Sequence, residues 1–136
     1  MTLIMNSLYI FSIILAKEQV LDSSPNPTDS IFWVAKTPTP DSRYWCPGVG
    51  IVRDTIYLIG GRGDGGDANS VRTIYAYIPA SDTWITNLPT LLTTRRAGGG
   101  GQAGNKIYIC GGRDSTNTTL NTCEEFYVDT KILTQK

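Results

Sequence analysis

The sequence predicts an all-β fold built from tandem units of short antiparallel strands. The run Ile-Tyr-Leu-Ile-Gly-Gly-Arg at residues 56–62 returns 51 residues later as Ile-Tyr-Ile-Cys-Gly-Gly-Arg at residues 107–113. The same spacing carries Trp33 onto Trp84, and no helical periodicity of any length interrupts the units. A period near 50 made of short strands and turns is typical of the blades of a β-propeller.

Four strands are expected in the first unit, near residues 47–52, 55–60, 72–78 and 83–86. The first is rich in glycine, which suits a crowded innermost position. The second is an aliphatic run of strand-forming residues, as expected between two covering neighbours. Asp54-Thr55 is the polar pair that turns the chain between them, and Trp84 lies on the fourth strand.

The second unit repeats this order less completely. Strands are expected near residues 97–103, 106–111 and 123–128, with Asn105-Lys106 as the turn between the first two. We expect helix to be almost absent. Trp84 is expected to make the main apolar contact of its outer strand with the adjacent unit.

These residues resemble the kelch repeat, whose pattern is a double glycine, then a tyrosine, then a tryptophan after a short turn. The matching residues are Gly60, Gly61, Tyr77 and Trp84 in one unit and Gly111, Gly112 and Tyr127 in the next. Thr134 or a neighbour stands where the second tryptophan is expected, and residues 27–33 have the form of the tail of an earlier blade.

The resemblance implies kelch-type β-propeller blades of four antiparallel strands over residues 25–136. They comprise the tail of one blade, a complete blade at about 43–86 and a partial blade at about 95–136. Because propellers close with about 4 to 8 blades, this chain is expected to form an incomplete ring, an open arc. A fragment of a longer gene product and an assembly of several chains both fit this length.

The amino-terminal residues 1–24 differ from the repeats. Residues 8–16 are the most apolar stretch of the chain and are too short for a transmembrane span. Their length is typical of a signal-peptide core, with Ala16 at a cleavage position, although residues 1–7 lack Lys and Arg. The alternative is a buried strand of a preceding blade. The signal interpretation predicts an extracellular, secreted protein, and the alternative is a cytoplasmic one.

Composition excludes several kinds of site. The 12 basic and 12 acidic residues balance, so no charge excess predicts binding to nucleic acid or to an anionic membrane. Histidine is absent, which removes the commonest general base and metal ligand. We therefore predict no catalytic residue, no metal site and no cofactor.

The cysteines allow two interpretations. Cys110 and Cys123 flank one hairpin loop and could form a disulfide there, with Cys46 left as a thiol. Alternatively, both are buried thiols that act as small hydrophobic residues, since Ile59 occupies the place of Cys110 in the earlier unit. Asn117 begins an Asn-Thr-Thr triplet for N-glycosylation in the same loop, which matters only in a secreted protein.

Arginines recur at the blade ends. Arg62 and Arg113 follow the glycine pairs, whereas Arg95 and Arg96 precede a glycine-rich strand. These four arginines could form a ligand face that binds acidic side chains or sugar carboxylates through their planar forks. The alternative is structural, because arginines that recur with the repeat can tie loops to the next blade.

The kelch resemblance implies a non-catalytic binding module whose partner is another protein or a glycan. One alternative is a fragment of a propeller enzyme acting on sugars, with its catalytic residues in missing blades. Another is an inactive, truncated gene product.

Overall fold

The computed structural model describes residues 33–65 and 69–136, and this part of the chain contains eight β-strands and no helix. Residues 36–136 form one compact unit that holds both sheets. The first sheet contains β1 (Gly48–Val52), β2 (Thr55–Ile59), β3 (Ile74–Ile78) and β4 (Thr83–Ile85). The second contains β5 (Gly99–Ala103), β6 (Lys106–Cys110), β7 (Cys123–Tyr127) and β8 (Ile132–Gln135).

Each sheet is a four-stranded antiparallel meander in which consecutive strands pair. The two sheets are not closed into a ring, so the predicted all-β fold with propeller blades in an open arc is confirmed. Seven strands lie where the sequence predicted them. The eighth, β8, was not predicted, and it gives the second sheet its fourth strand.

The tight turns lie one residue earlier than predicted. β1 ends at Val52 and β2 begins at Thr55, so Arg53 and Asp54 form the turn between them. Both have positive φ, 48° and 60°, which is the combination that a type I′ hairpin requires. The equivalent turn of the second blade is Gly104-Asn105, where the glycine has a φ of 59°.

The glycine-rich strands make room for the neighbouring blade. A β-carbon at Gly48 would stand 2.9 Å from Ile109, and one at Gly50 would stand 2.9 Å from Ile107. Both isoleucines are fully buried, and they belong to β6 of the second blade. The interface between the blades is the core of this unit, which consists of Val52, Tyr57, Ile59, Ile74, Ala76, Leu91, Ile107, Ile109, Phe126 and Val128.

Strand register changes one predicted match between the blades. In the first blade, Tyr77 pairs with Ile56. The equivalent of Ile56 in the second blade is Ile107, and it pairs with Phe126 rather than with Tyr127. The structural counterpart of Tyr77 is therefore Phe126, because the loop before β7 is two residues shorter. Leu133 pairs with Phe126 as Trp84 pairs with Tyr77, so Leu133 takes the place of the second tryptophan.

Trp84 does not make the contact expected from the sequence. Its ring lies 5.0 Å from that of Tyr77 and 6.4 Å from that of Tyr75, which are both on β3 of its own blade. Its indole N–H donates to the carbonyl of Thr37 at 3.1 Å. The reason is the register of β4, which places Trp84 on the same face as Tyr77.

The hydroxyl of Tyr77 should lose its proton at a higher pH than that of an ordinary tyrosine. It donates a 2.5 Å hydrogen bond to Asp82, which raises the pKa of Tyr77 to about 12 and lowers that of Asp82. The neutral phenol is thus favoured by folding, and its contribution to stability is complete below pH of about 10 and lost as pH rises toward 12. The contribution of Asp82 is complete above its unfolded pKa of about 4 and is lost as pH falls through its lower pKa in the folded state.

We expect one tyrosine of the folded protein to ionise near pH 12 when phenolate absorbance is followed. In Asp82→Asn the pH at which Tyr77 ionises should fall toward the ordinary tyrosine pKa of about 10, because the carboxylate acceptor is gone. Asp54→Asn, in an exposed turn, is the matched control and should leave the titration unchanged. An unaltered late transition in Asp82→Asn would contradict this assignment.

Candidate functional site

The glycine pairs bring the two blades together at their backbone. Gly61, with a φ of 113°, donates its N–H to the carbonyl of Arg95 at 2.8 Å, and that bond joins the first blade to the start of the second. In the second blade, a β-carbon at Gly112 would stand 2.4 Å from the carbonyl oxygen of Arg96. The double glycine is therefore required by close backbone approach and by positive φ.

Arg95 is a buried structural residue. Its guanidinium donates to the carbonyls of Gly111 at 2.5 Å and Thr122 at 2.9 Å, and to the Thr122 hydroxyl at 3.1 Å. It also pairs with the buried carboxylate of Glu124 at 3.3 Å. Because its exposed fraction is 0%, Arg95 does not belong to an open ligand face, and this part of the sequence prediction is corrected.

Arg43 makes the same contacts in the first blade. It donates to the carbonyls of Gly60 at 3.2 Å and Thr73 at 3.3 Å, and to the Thr73 hydroxyl at 2.5 Å. Sequence reasoning grouped Arg43 with Arg95 and Arg96 as arginines that precede the glycine-rich strands, but did not list it among the residues of the ligand face. Its spacing of 52 residues from Arg95 is the signal that identifies both as one repeated clamp, which holds the ends of two strands together.

Arg96 is also buried, with an exposed fraction of 2%. It donates to the Ser70 hydroxyl at 2.6 Å, to the Asp114 carbonyl at 2.8 Å and to the Asn117 side chain at 2.7 Å. These bonds connect the long loops of the two blades. Arg96 is therefore buried below the surface and holds the loop residues of the ligand face in place through these bonds. The prediction that it lies on the open face is corrected.

The accessible members of the predicted face are Arg62, which is half-buried, and Arg113, which is exposed. Arg62 lies over the ring of Tyr44 at 5.1 Å and over that of Trp45 at 5.5 Å. Arg113 is exposed and donates to Asn117 at 3.1 Å. Sequence reasoning missed the two aromatic residues, because they lie in a connecting segment before β1 rather than in the repeated strands.

A cleft of about 300 Å³ opens at this end of the blades. We call it the arginine–tryptophan cleft, and its lining residues are Trp45, Arg96, Ala97, Arg113 and Asn117. Trp45 is 56% exposed and forms one wall. An aromatic wall beside a cationic fork is suited to a carboxylate carried on an apolar or planar group.

Backbone strain fixes the position of Trp45. Its φ is 51°, and that of the equivalent Ala97 is also 51°, in the left-handed region that residues with side chains seldom adopt. The Ala97 N–H donates to the Trp45 carbonyl at 2.9 Å, which couples the two residues across the blades. The strain is thus held by an interblade bond, and it turns a large indole outward beside the cleft.

Cys110 and Cys123 face each other in the sheet and are joined as a disulfide, with their Cα atoms 4.0 Å apart. The bond lies at the ends of β6 and β7, next to the carbonyls that Arg95 binds. Cys46 is a half-buried thiol, and burial raises its pKa. Asn117 is exposed in the loop after β6, with a φ of 67°.

Within residues 33–65 and 69–136, no group of three or more His, Cys, Asp or Glu side chains could hold a metal ion. The same part of the chain contains no helix long and apolar enough to cross a membrane. The apolar stretch at residues 8–16 lies outside the described residues.

These two blades define the chain as a repeat protein of the β-propeller class. The family model for the Kelch motif matches residues 46–86 and 95–132, which together exceed half of the chain. The chain therefore belongs to the kelch-repeat family, as the sequence resemblance predicted. Kelch repeats indicate a β-propeller that is commonly a protein-binding module, and the family is generally non-catalytic. Comparison with curated proteins gives no match.

Proposed function

We propose that this chain is a non-catalytic binding module that holds an acidic segment of a partner protein in the arginine–tryptophan cleft. The observation that supports this proposal is the combination of an exposed indole, Trp45, with two arginines, Arg62 and Arg113, at one end of both blades. A protein partner agrees with the common role of kelch propellers.

The chemistry of the cleft favours a carboxylate. Arg113 offers a planar fork at the surface, and the Asn117 oxygen that accepts from both Arg113 and Arg96 holds the two guanidinium groups side by side. Two neighbouring cations attract an anion, while the indole of Trp45 covers the apolar stem of a Glu or Asp side chain. Exposed aromatic and arginine side chains are also the residue types that dominate protein interfaces.

The test uses a synthetic glutamate-rich peptide and the full chain. We expect the anisotropy of a fluorophore attached to the peptide to rise on titration and the affinity to fall by about tenfold in Arg113→Ala, equivalent to about 1.4 kcal/mol. Trp45→Ala should weaken binding similarly. Arg53→Ala, an exposed arginine at the other end of the blades, is the matched control and should bind as the parent does.

Binding should also weaken as salt rises, because exposed charges are screened. Equal affinity in Arg113→Ala, Trp45→Ala and the parent would overturn the proposal. Preference for a uronic-acid oligosaccharide over the peptide would replace the protein partner with a glycan.

Secretion is a second, separate proposal. It is supported by the Cys110–Cys123 disulfide, which persists in oxidising compartments, together with the Asn117 triplet and the apolar residues 8–16 of the sequence. Mass analysis of the protein from its native source, under non-reducing conditions, should find the disulfide intact and the amino terminus cleaved. Free thiols at both cysteines, or an uncleaved Met1, would contradict it.

The disulfide should also contribute to stability. Its two cysteines are 13 residues apart, and closing so short a loop should stabilise the fold by roughly 2–3 kcal/mol. We expect Cys123→Ser to lower the urea midpoint under oxidising conditions. In a reducing buffer the parent and the variant should unfold at nearly the same urea concentration, and a large difference there would show that the sulfur atoms act by packing alone.

A further inference from the structure

The glycines of β5 lie on a blade face that no described residue covers. In the first blade, Gly48 and Gly50 receive the side chains of Ile109 and Ile107. Gly99 and Gly101 are their equivalents 51 residues later, and no described atom lies within 4 Å of a β-carbon built at either. Above Gly48 and Gly50, the space that a β-carbon would take is filled by an isoleucine of the next blade. We call each such space a seat, and the two equivalent seats at Gly99 and Gly101 are empty among the described residues. We call this surface, with Tyr108 beside it, the trailing face.

The opposite surface of the first blade carries the side chains that fit those seats. Ile56 and Leu58 on β2 are the equivalents of Ile107 and Ile109, and both are only half-buried. Tyr77 is the register counterpart of Phe126. We call this surface, which consists of Ile56, Leu58 and Tyr77, the leading face.

We propose that the trailing face of one molecule binds the leading face of a second copy of this chain. The interface between the two blades of the chain is the template for this contact. By that template Ile56 fills the seat at Gly101 and Leu58 the seat at Gly99. Phe126 lies 5.9 Å from Tyr57 within the chain, and Tyr77 of the second copy, which is 8% exposed, meets Tyr108 through its exposed edge alone.

The charges on the trailing face permit this contact. Glu125 stands on it where the first blade has Ala76, since these residues pair with Tyr108 and Tyr57 respectively. Its carboxylate is paired with Lys106 at 3.2 Å and with Lys136 at 3.5 Å. A second copy therefore covers a neutralised group rather than an unpaired charge, which would be costly to bury.

The proposed contact joins two different surfaces, so each copy keeps one of each kind for further binding. Such head-to-tail contacts form closed rings when the rotation between copies closes. This surface is separate from the arginine–tryptophan cleft, and the proposal does not depend on the function proposed for that cleft.

Sedimentation of the full chain tests the proposal. The parent is expected to form discrete oligomers at about tens of micromolar, since the weaker interfaces of standard size have a Kd in the micromolar range. Gly101→Leu blocks the trailing face, and Leu58→Lys blocks the leading face, so each variant alone should be monomeric. Circular dichroism and urea unfolding check that both variants keep the fold. Thr130→Leu, an exposed position in the turn between β7 and β8, is the matched control and should assemble as the parent does.

The decisive measurement is a mixture of the two variants. Gly101→Leu retains its leading face and Leu58→Lys retains its trailing face, so together they should form a one-to-one dimer and nothing larger. A monomeric parent would overturn the proposal, and so would a mixture that stays monomeric while the parent assembles. Should Leu58→Lys unfold, Ile56→Ser replaces it in the same mixture.

Discussion

Replacing Arg95 by methionine is expected to lower the free energy of unfolding by about 3–5 kcal/mol, because it leaves a buried carboxylate without its cation. Glu124 is 1% exposed and would retain the N–H groups of Leu92 at 2.7 Å and Thr93 at 3.1 Å. The carbonyls of Gly111 and Thr122 would also lose a donor. Urea unfolding followed by tryptophan fluorescence measures the change.

Arg53→Met is the matched control for this substitution. Arg53 also pairs with a carboxylate, that of Asp129, but its side chain is 69% exposed. Exposed ion pairs contribute only about 0–1 kcal/mol, so the control should lose little stability. The double variant Arg95→Met, Glu124→Leu should recover part of the loss, because no charge then remains buried. A loss below about 1 kcal/mol in Arg95→Met would contradict the role assigned to Arg95.

The repeat made the fold predictable, because strands, glycine pairs and tight turns depend on local residues that recur. Aliphatic runs alternate with turn residues, so seven strands could be placed from the sequence. The eighth strand was missed because Leu133 takes the place where a tryptophan was expected, and because the loop before β7 is shorter than its counterpart. A shorter loop changes which residues of the following strand pair with the preceding one. The sequence of that strand gives no sign of the change.

The site was less predictable, because the exposure of an arginine depends on tertiary contacts. Arg95 and Arg113 look alike in sequence, yet one is buried against Glu124 and the other is exposed beside Trp45. What distinguishes Arg95 is the folded sheet around it, which places Glu124 and the carbonyls of Gly111 and Thr122 within reach of its guanidinium. Trp45 could not be assigned to the cleft for a related reason, since its position depends on a left-handed backbone and a bond from the other blade.

Gly100→Ala is expected to destabilise the protein by about 3 kcal/mol, since the added methyl group would meet backbone rather than a movable side chain. A β-carbon at Gly100 would stand 2.4 Å from the carbonyl oxygen of Pro47 and 2.8 Å from the Cα of Gly48. Pro47 and Gly48 belong to the first blade, and their buried backbone has no space into which to move. The two innermost strands would have to separate, and the isoleucine contacts of the interface would weaken with them.

Gly101→Ala provides the comparison one residue along the same strand. Neither glycine has a positive φ, so alanine has the same backbone preference at both positions, and only the surroundings differ. No described atom lies within 4 Å of a β-carbon at Gly101. At protein concentrations low enough to keep the chain monomeric, we therefore expect Gly101→Ala to unfold at the same urea concentration as the parent and Gly100→Ala to unfold much earlier. Equal midpoints for the two variants would show that the blades are not in backbone contact at Gly100, and the blade interface described above would then be wrong.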